Sequence, residues 1–80
     1  EALAARPDDA TAAFNLGVAL EDQRRPHAAA AAYENALAVD AEYADAHFNL
    51  GRLWERLGEP RKALRHLQAF RRLTGDLPRG

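Results

Sequence analysis

This sequence of 80 residues predicts an all-α fold of stacked antiparallel helix-turn-helix units, on three observations. The tetrapeptide FNLG occurs at residues 14–17 and again at 48–51, and each copy stands nine residues before a proline. Sliding the chain against itself until Phe14 meets Phe48 produces twelve identical pairs, among them Glu21/Glu55, Pro26/Pro60 and Ala29/Ala63, which marks a tandem repeat. Nineteen alanines, with the prolines falling between segments, complete a helical composition.

Punctuation sets the elements in order. Pro7-Asp8-Asp9 closes one helix and offers acids to cap and charge the next, expected over about Ala10 to Gln23. Pro26 fits the first turn of a second helix, where its missing N–H is not needed, and that helix is expected to end near Asp40. Residues 44–57 and 60–73 repeat the scheme; Gly58 supplies the turn where the first unit has Arg24, and Gly75 closes the last helix.

Helical phase then assigns faces. Ala13, Leu16, Gly17 and Leu20 share one stripe, as do His47, Leu50, Gly51 and Trp54, and both stripes are expected to meet a partner helix. The facing stripes are Ala29, Tyr33 and Ala36 in the first unit and Ala63, Leu67 and Phe70 in the second. Gly17 and Gly51 each sacrifice about 1 kcal/mol of helix propensity relative to alanine, a cost that close helix approach explains.

Two helices in each repeating unit, with Leu16-Gly17 and Leu50-Gly51 in the first, Ala29 and Ala63 in the second, and Tyr33 and Ala36 following, resemble the tetratricopeptide repeat. The resemblance divides the chain into the end of a preceding repeat at 1–9, repeats at 10–43 and 44–77, and a tail at 78–80. It implies a right-handed α-solenoid that works as a protein-interaction module. Three kinds of departure from the family pattern occur: Ala13 and His47 stand where tryptophan is favoured, Phe70 replaces a small residue, and Ala41 and Gly75 replace the inter-repeat proline kept at Pro7.

In such a stack the first helices of successive units line a concave surface, where the family usually holds extended or helical peptides. The candidate groove residues are Thr11, Phe14, Asn15, Val18, Glu21 and Asp22, with Asp45, Phe48, Asn49, Arg52, Glu55 and Arg56 at the equivalent places. Asn15 and Asn49 carry both a donor and an acceptor and suit a peptide backbone, and some family members grip peptides through asparagines in this way. A solvated or locally bonded asparagine is the competing reading. Phe14 and Phe48 read as packing aromatics before ligand contacts. Members that clamp a C-terminal carboxylate use lysine where Phe14 stands, so that clamp is not expected.

Charge and chemistry narrow the rest. Residues 1–60 carry 11 acids against 5 Lys/Arg, whereas 61–80 carry 6 Lys/Arg against 1 acid. The basic last helix, with Arg61, Lys62, Arg65, Arg71 and Arg72, leaves a nucleic-acid partner open but disfavoured, since it lacks interleaved aromatics. Apolar residues at both ends, Leu16 and Leu20 at one and Leu64, Leu67, Phe70 and Leu73 at the other, suggest head-to-tail self-association of the isolated chain. There is no cysteine, His27, His47 and His66 stand at no metal-ligand spacing along the chain, and no glycine-rich phosphate loop follows a strand. The expectation is a non-enzymatic module without metal or cofactor and without a membrane span, soluble, with localisation open and the cytoplasm slightly preferred. Because it opens on Glu1, it reads as a segment of a larger protein, in which these repeats could instead dock substrates for an attached enzyme.

Overall fold

The computed structural model describes residues 8–75. Four helices run in order: α1 Asp8–Asp22, α2 Pro26–Val39, α3 Ala44–Arg56 and α4 Pro60–Leu73. The chain is thus an all-α stack of two helix hairpins, α1 against α2 and α3 against α4, joined by the packing of α2 on α3. Asp8 and Asp9, expected to precede the first helix, lie inside it. Residues 1–7 of the expected preceding-repeat end, and the tail at 78–80, lie outside the described residues.

The two hairpin turns have one construction. Arg25 N–H donates to the Leu20 carbonyl at 2.9 Å and Arg24 N–H to that of Glu21 at 2.9 Å; at the equivalent places of the second repeat Glu59 donates to Trp54 at 2.8 Å and Gly58 to Glu55 at 3.1 Å. These paired bonds close the last helical turn and require a left-handed residue just past it. That residue is Arg24 at φ 62° and Gly58 at φ 80°. Each turn delivers the chain into a proline at the start of the next helix, where no side-chain cap is made.

A Cβ on Gly58 would meet nothing within 4 Å, so substitution there changes backbone preference alone. Gly58→Ala is therefore expected to lower stability by roughly 1 kcal/mol, and Arg24→Gly to raise it by less than that, because glycine relieves the left-handed strain but loosens the unfolded chain. Urea midpoints of the two variants check both signs.

Packing departs from the single-stripe expectation in a consistent way. Tyr33, Leu50 and Leu53 are the largest fully buried side chains, and they cluster with Ala29, Ala30, Trp54 and Ala63. Trp54 is buried with its indole N–H unpaired, and the Lys62 ammonium lies 4.4 Å from the centre of its ring. Leu53 lies outside the stripe expected to be buried, yet it is covered because α3 has a helix on each side, α2 and α4.

Leu16 is the reverse case, a stripe residue that is 53% exposed while its equivalent Leu50 is 0% exposed. Leu50 is enclosed where α2 packs on α3, and no described helix stands in that relation to α1. The second helices differ likewise: Ala30 is buried, whereas its equivalent Leu64 is 56% exposed. Leu67, Phe70 and Leu73 are half-buried, so Leu64 is the principal exposed apolar residue of α4.

Candidate functional site

The first helix of each hairpin supplies the candidate groove. Thr11, Asn15, Val18 and Asp22 on α1 are exposed, as are Asp45, Arg52, Glu55 and Arg56 on α3, while Phe14, Glu21, Phe48 and Asn49 are half-buried. The helical period that sets Gly17 and Gly51 toward α2 and α4 turns these positions sideways or outward.

The two phenylalanines are held in ring packing. Phe14 lies 5.5 Å from Tyr33 in a tilted pair and 5.2 Å from Tyr43 in a stacked one, centroid to centroid. Phe48 lies 4.9 Å from Phe70, with the Arg52 guanidinium 5.6 Å from its ring centre. Both rings thus brace helices, and the guanidinium covers part of the second. Tyr43 was not among the expected site residues; the signal for it is an aromatic side chain placed immediately before α3.

The asparagines are not equivalent. Asn15 is exposed, whereas Asn49 Nδ2 reaches across to the Tyr33 phenol oxygen at 3.4 Å, a long and weak bond. The Glu21 and Asp22 carboxylates of α1 lie near the same phenol. Burial pushes the Tyr33 pKa above its ordinary 10.0; the Asn49 bond opposes the shift, and the neighbouring Glu21 and Asp22 carboxylates add to it. The phenol is therefore neutral at physiological pH and accepts from Asn49.

Two adjoining clefts open here. The smaller, about 210 Å³, is lined by Glu21, Asn49, Arg52 and Arg56. The larger, about 530 Å³, is lined by Glu21, Asp22, Arg24, Pro26, Leu53 and Arg56. Glu21, Asp22, Asn49, Arg52 and Arg56 are thus gathered from two helices around clefts that share Glu21 and Arg56, with acids supplied by α1 and arginines by α3. Thr11, Phe14, Asn15, Val18, Asp45 and Phe48 do not line these clefts. This arrangement can receive a polar segment carrying charges of both signs.

The basic residues of α4, Arg61, Lys62, Arg65, Arg71 and Arg72, are exposed. No described helix is long and apolar enough to cross a membrane.

Two histidines far apart in the chain meet in space, which spacing along the sequence did not suggest. His47 and His66 face each other through their Nδ1 atoms at 3.1 Å. Burial lowers the His66 pKa from its ordinary 6.5, with the His47 and Arg65 charges adding to the effect.

A family model described as "Tetratricopeptide repeat" matches the chain over residues 1–26 and 19–78. No curated protein matches it.

Proposed function

The chain belongs to the tetratricopeptide repeat family, whose repeats generally mediate protein–protein interaction, and we propose that it holds a polar, mixed-charge segment of a protein partner in the clefts between α1 and α3. The observation that carries this reading is the gathering of Glu21, Asn49, Arg52 and Arg56 around one cleft from two successive repeats. Asn49 supplies hydrogen bonds to the segment's backbone within the smaller cleft, and Asn15, exposed on α1 outside the clefts, to the part of the segment that runs on along that helix. Arg52 and Arg56 receive its acidic side chains, and Glu21 and Asp22 its basic ones.

Selection from a random peptide library displayed on phage tests the charge reading. The unmodified protein is expected to enrich peptides that contain at least one acidic and one basic residue. The Arg52→Glu, Arg56→Glu double variant is expected to shift the enriched set toward basic residues. Identical sets from the two proteins, or no enrichment by the unmodified protein, would defeat the proposal.

For a peptide so selected, Asn15→Ala and Asn49→Ala should each weaken binding by roughly 0.5–1.5 kcal/mol, the net worth of a hydrogen bond. Asn15→Ala should leave the melting temperature unchanged. A fall in melting temperature confined to Asn49→Ala would measure the Tyr33 bond separately from ligand binding.

A further inference from the structure

His47 lies in the first turns of α3 and His66 midway along α4, and their rings approach with centroids 5.3 Å apart and planes inclined at 34°. His47 Nε2 stands 2.9 Å from the Ala41 carbonyl oxygen. A carbonyl can only accept, so Nε2 carries the proton, and in the neutral ring the lone pair lies on Nδ1, the atom that faces His66. His66 Nδ1–H then donates to it across the 3.1 Å separation.

That separation also fits a second use. Two nitrogens bound about 2.05 Å from one zinc ion stand about 2.9 Å apart at a right angle and about 3.4 Å apart at the tetrahedral angle. The observed 3.1 Å falls between these limits, and because the 5.3 Å between ring centres sets the two Nδ1 atoms almost head-on, each ring turns by some tens of degrees for both lone pairs to meet one ion. The hydrogen bond from His47 to the Ala41 carbonyl is the outer partner that metal-bound imidazoles usually have, since it fixes tautomer and ring orientation together.

We propose that His47 and His66 form a two-imidazole site for a divalent transition-metal cation of the zinc and copper class, which clips α3 to α4. Imidazole selects such cations over magnesium and calcium, and copper(II) binds more tightly than zinc to a given nitrogen set. Binding needs no net loss of a proton from the neutral pair: His66 moves its proton from Nδ1 to Nε2 through solvent and presents the Nδ1 lone pair to the metal. No group of three or more His, Cys, Asp and Glu suited to a metal occurs among the described residues, and water completes the coordination shell. The nearby Arg65 charge acts against the cation and keeps affinity below that of a site with three or four protein ligands.

Thermal melts with increasing zinc sulfate, copper(II) chloride or magnesium chloride test the site. The variants are His47→Gln, His66→Gln and, as a control on an exposed histidine, His27→Gln. Zinc and copper should raise the melting temperature of the unmodified protein and of His27→Gln, because a ligand of the folded state stabilises by mass action, and magnesium should not. Neither metal should raise that of His47→Gln or His66→Gln. No rise in the unmodified protein, or a rise that persists in both of those variants, would overturn the proposal. Should either variant fail to fold, proton NMR of the unmodified chain with substoichiometric copper(II) decides. Broadening of the His47 and His66 ring signals before that of His27 supports the site, and broadening of His27 first, or of all three equally, rejects it.

Discussion

Gly17→Leu is expected to cost about 3 kcal/mol, the upper part of the range for overpacking a tight helix contact. A Cβ at this position would lie 2.5 Å from Tyr33 Cε1, 2.6 Å from Cδ1 and 2.9 Å from Cζ. The Tyr33 ring cannot yield cheaply: it is fully buried, Phe14 packs against it, and its hydroxyl accepts from Asn49. Gly51 tolerates more, because its Cβ would meet Leu67 Cγ at 2.7 Å and Cδ2 at 2.8 Å, and half-buried Leu67 has other rotamers to adopt, which leaves the Ala63 carbonyl oxygen at 3.3 Å as the fixed contact. Alanine separates the two positions further. The gain of roughly 1 kcal/mol in helix propensity should nearly offset the contact at Gly51→Ala, whereas Gly17→Ala should remain destabilised. Denaturant midpoints of the four variants measure this order, and a Gly17→Leu protein that melts like the parent would refute the close approach of α1 to α2.

Leu50→Ala should cost about 2–5 kcal/mol, the usual loss for emptying a fully enclosed leucine site. Leu16→Ala, the same substitution at the same place in the other repeat, should cost less than about 1 kcal/mol because half of that side chain is already in water. The comparison holds residue type, helix position and repeat register constant, so the difference isolates the cover that α2 gives α3. Equal losses at the two sites would mean that Leu16 is enclosed in solution.

The elements of this fold are legible in the sequence because their signals are local. Pro26, Pro60 and Gly58 mark boundaries through backbone rules that need no neighbours, and the helices begin and end within two residues of expectation. The assignment of faces succeeds where one neighbour decides burial, as at Gly17, Ala29, Tyr33 and Ala63. It fails at Leu53 because a single stripe assumes one partner per helix and α3 has two, and at Leu16 because that position of the stripe is covered by a preceding second helix, as α2 covers Leu50, and no described helix stands so to α1. Periodicity does not reveal the Asn49–Tyr33 bond or the His47–His66 meeting, since both depend on how far one helix slides along another. Asn15 and Asn49 are identical in the repeat and differ in their surroundings for the same reason.

Trp54 gives the molecule an optical reporter of its own. It is the single tryptophan of the chain, buried in α3 with an unpaired indole N–H, and it belongs to the cluster where the two hairpins meet. An indole so placed emits at short wavelength, and water reaching it shifts the emission to the red. Circular dichroism, in contrast, counts all four described helices. Repeats coupled only to their neighbours can open in sequence, with the hairpin that has the less enclosed leucine opening first. In that event the fluorescence moves as α2 leaves the cluster, while ellipticity goes on falling as the second hairpin melts, whereas a chain that unfolds as one unit loses both signals together. One protein without an added label therefore reports how strongly its two repeats are coupled.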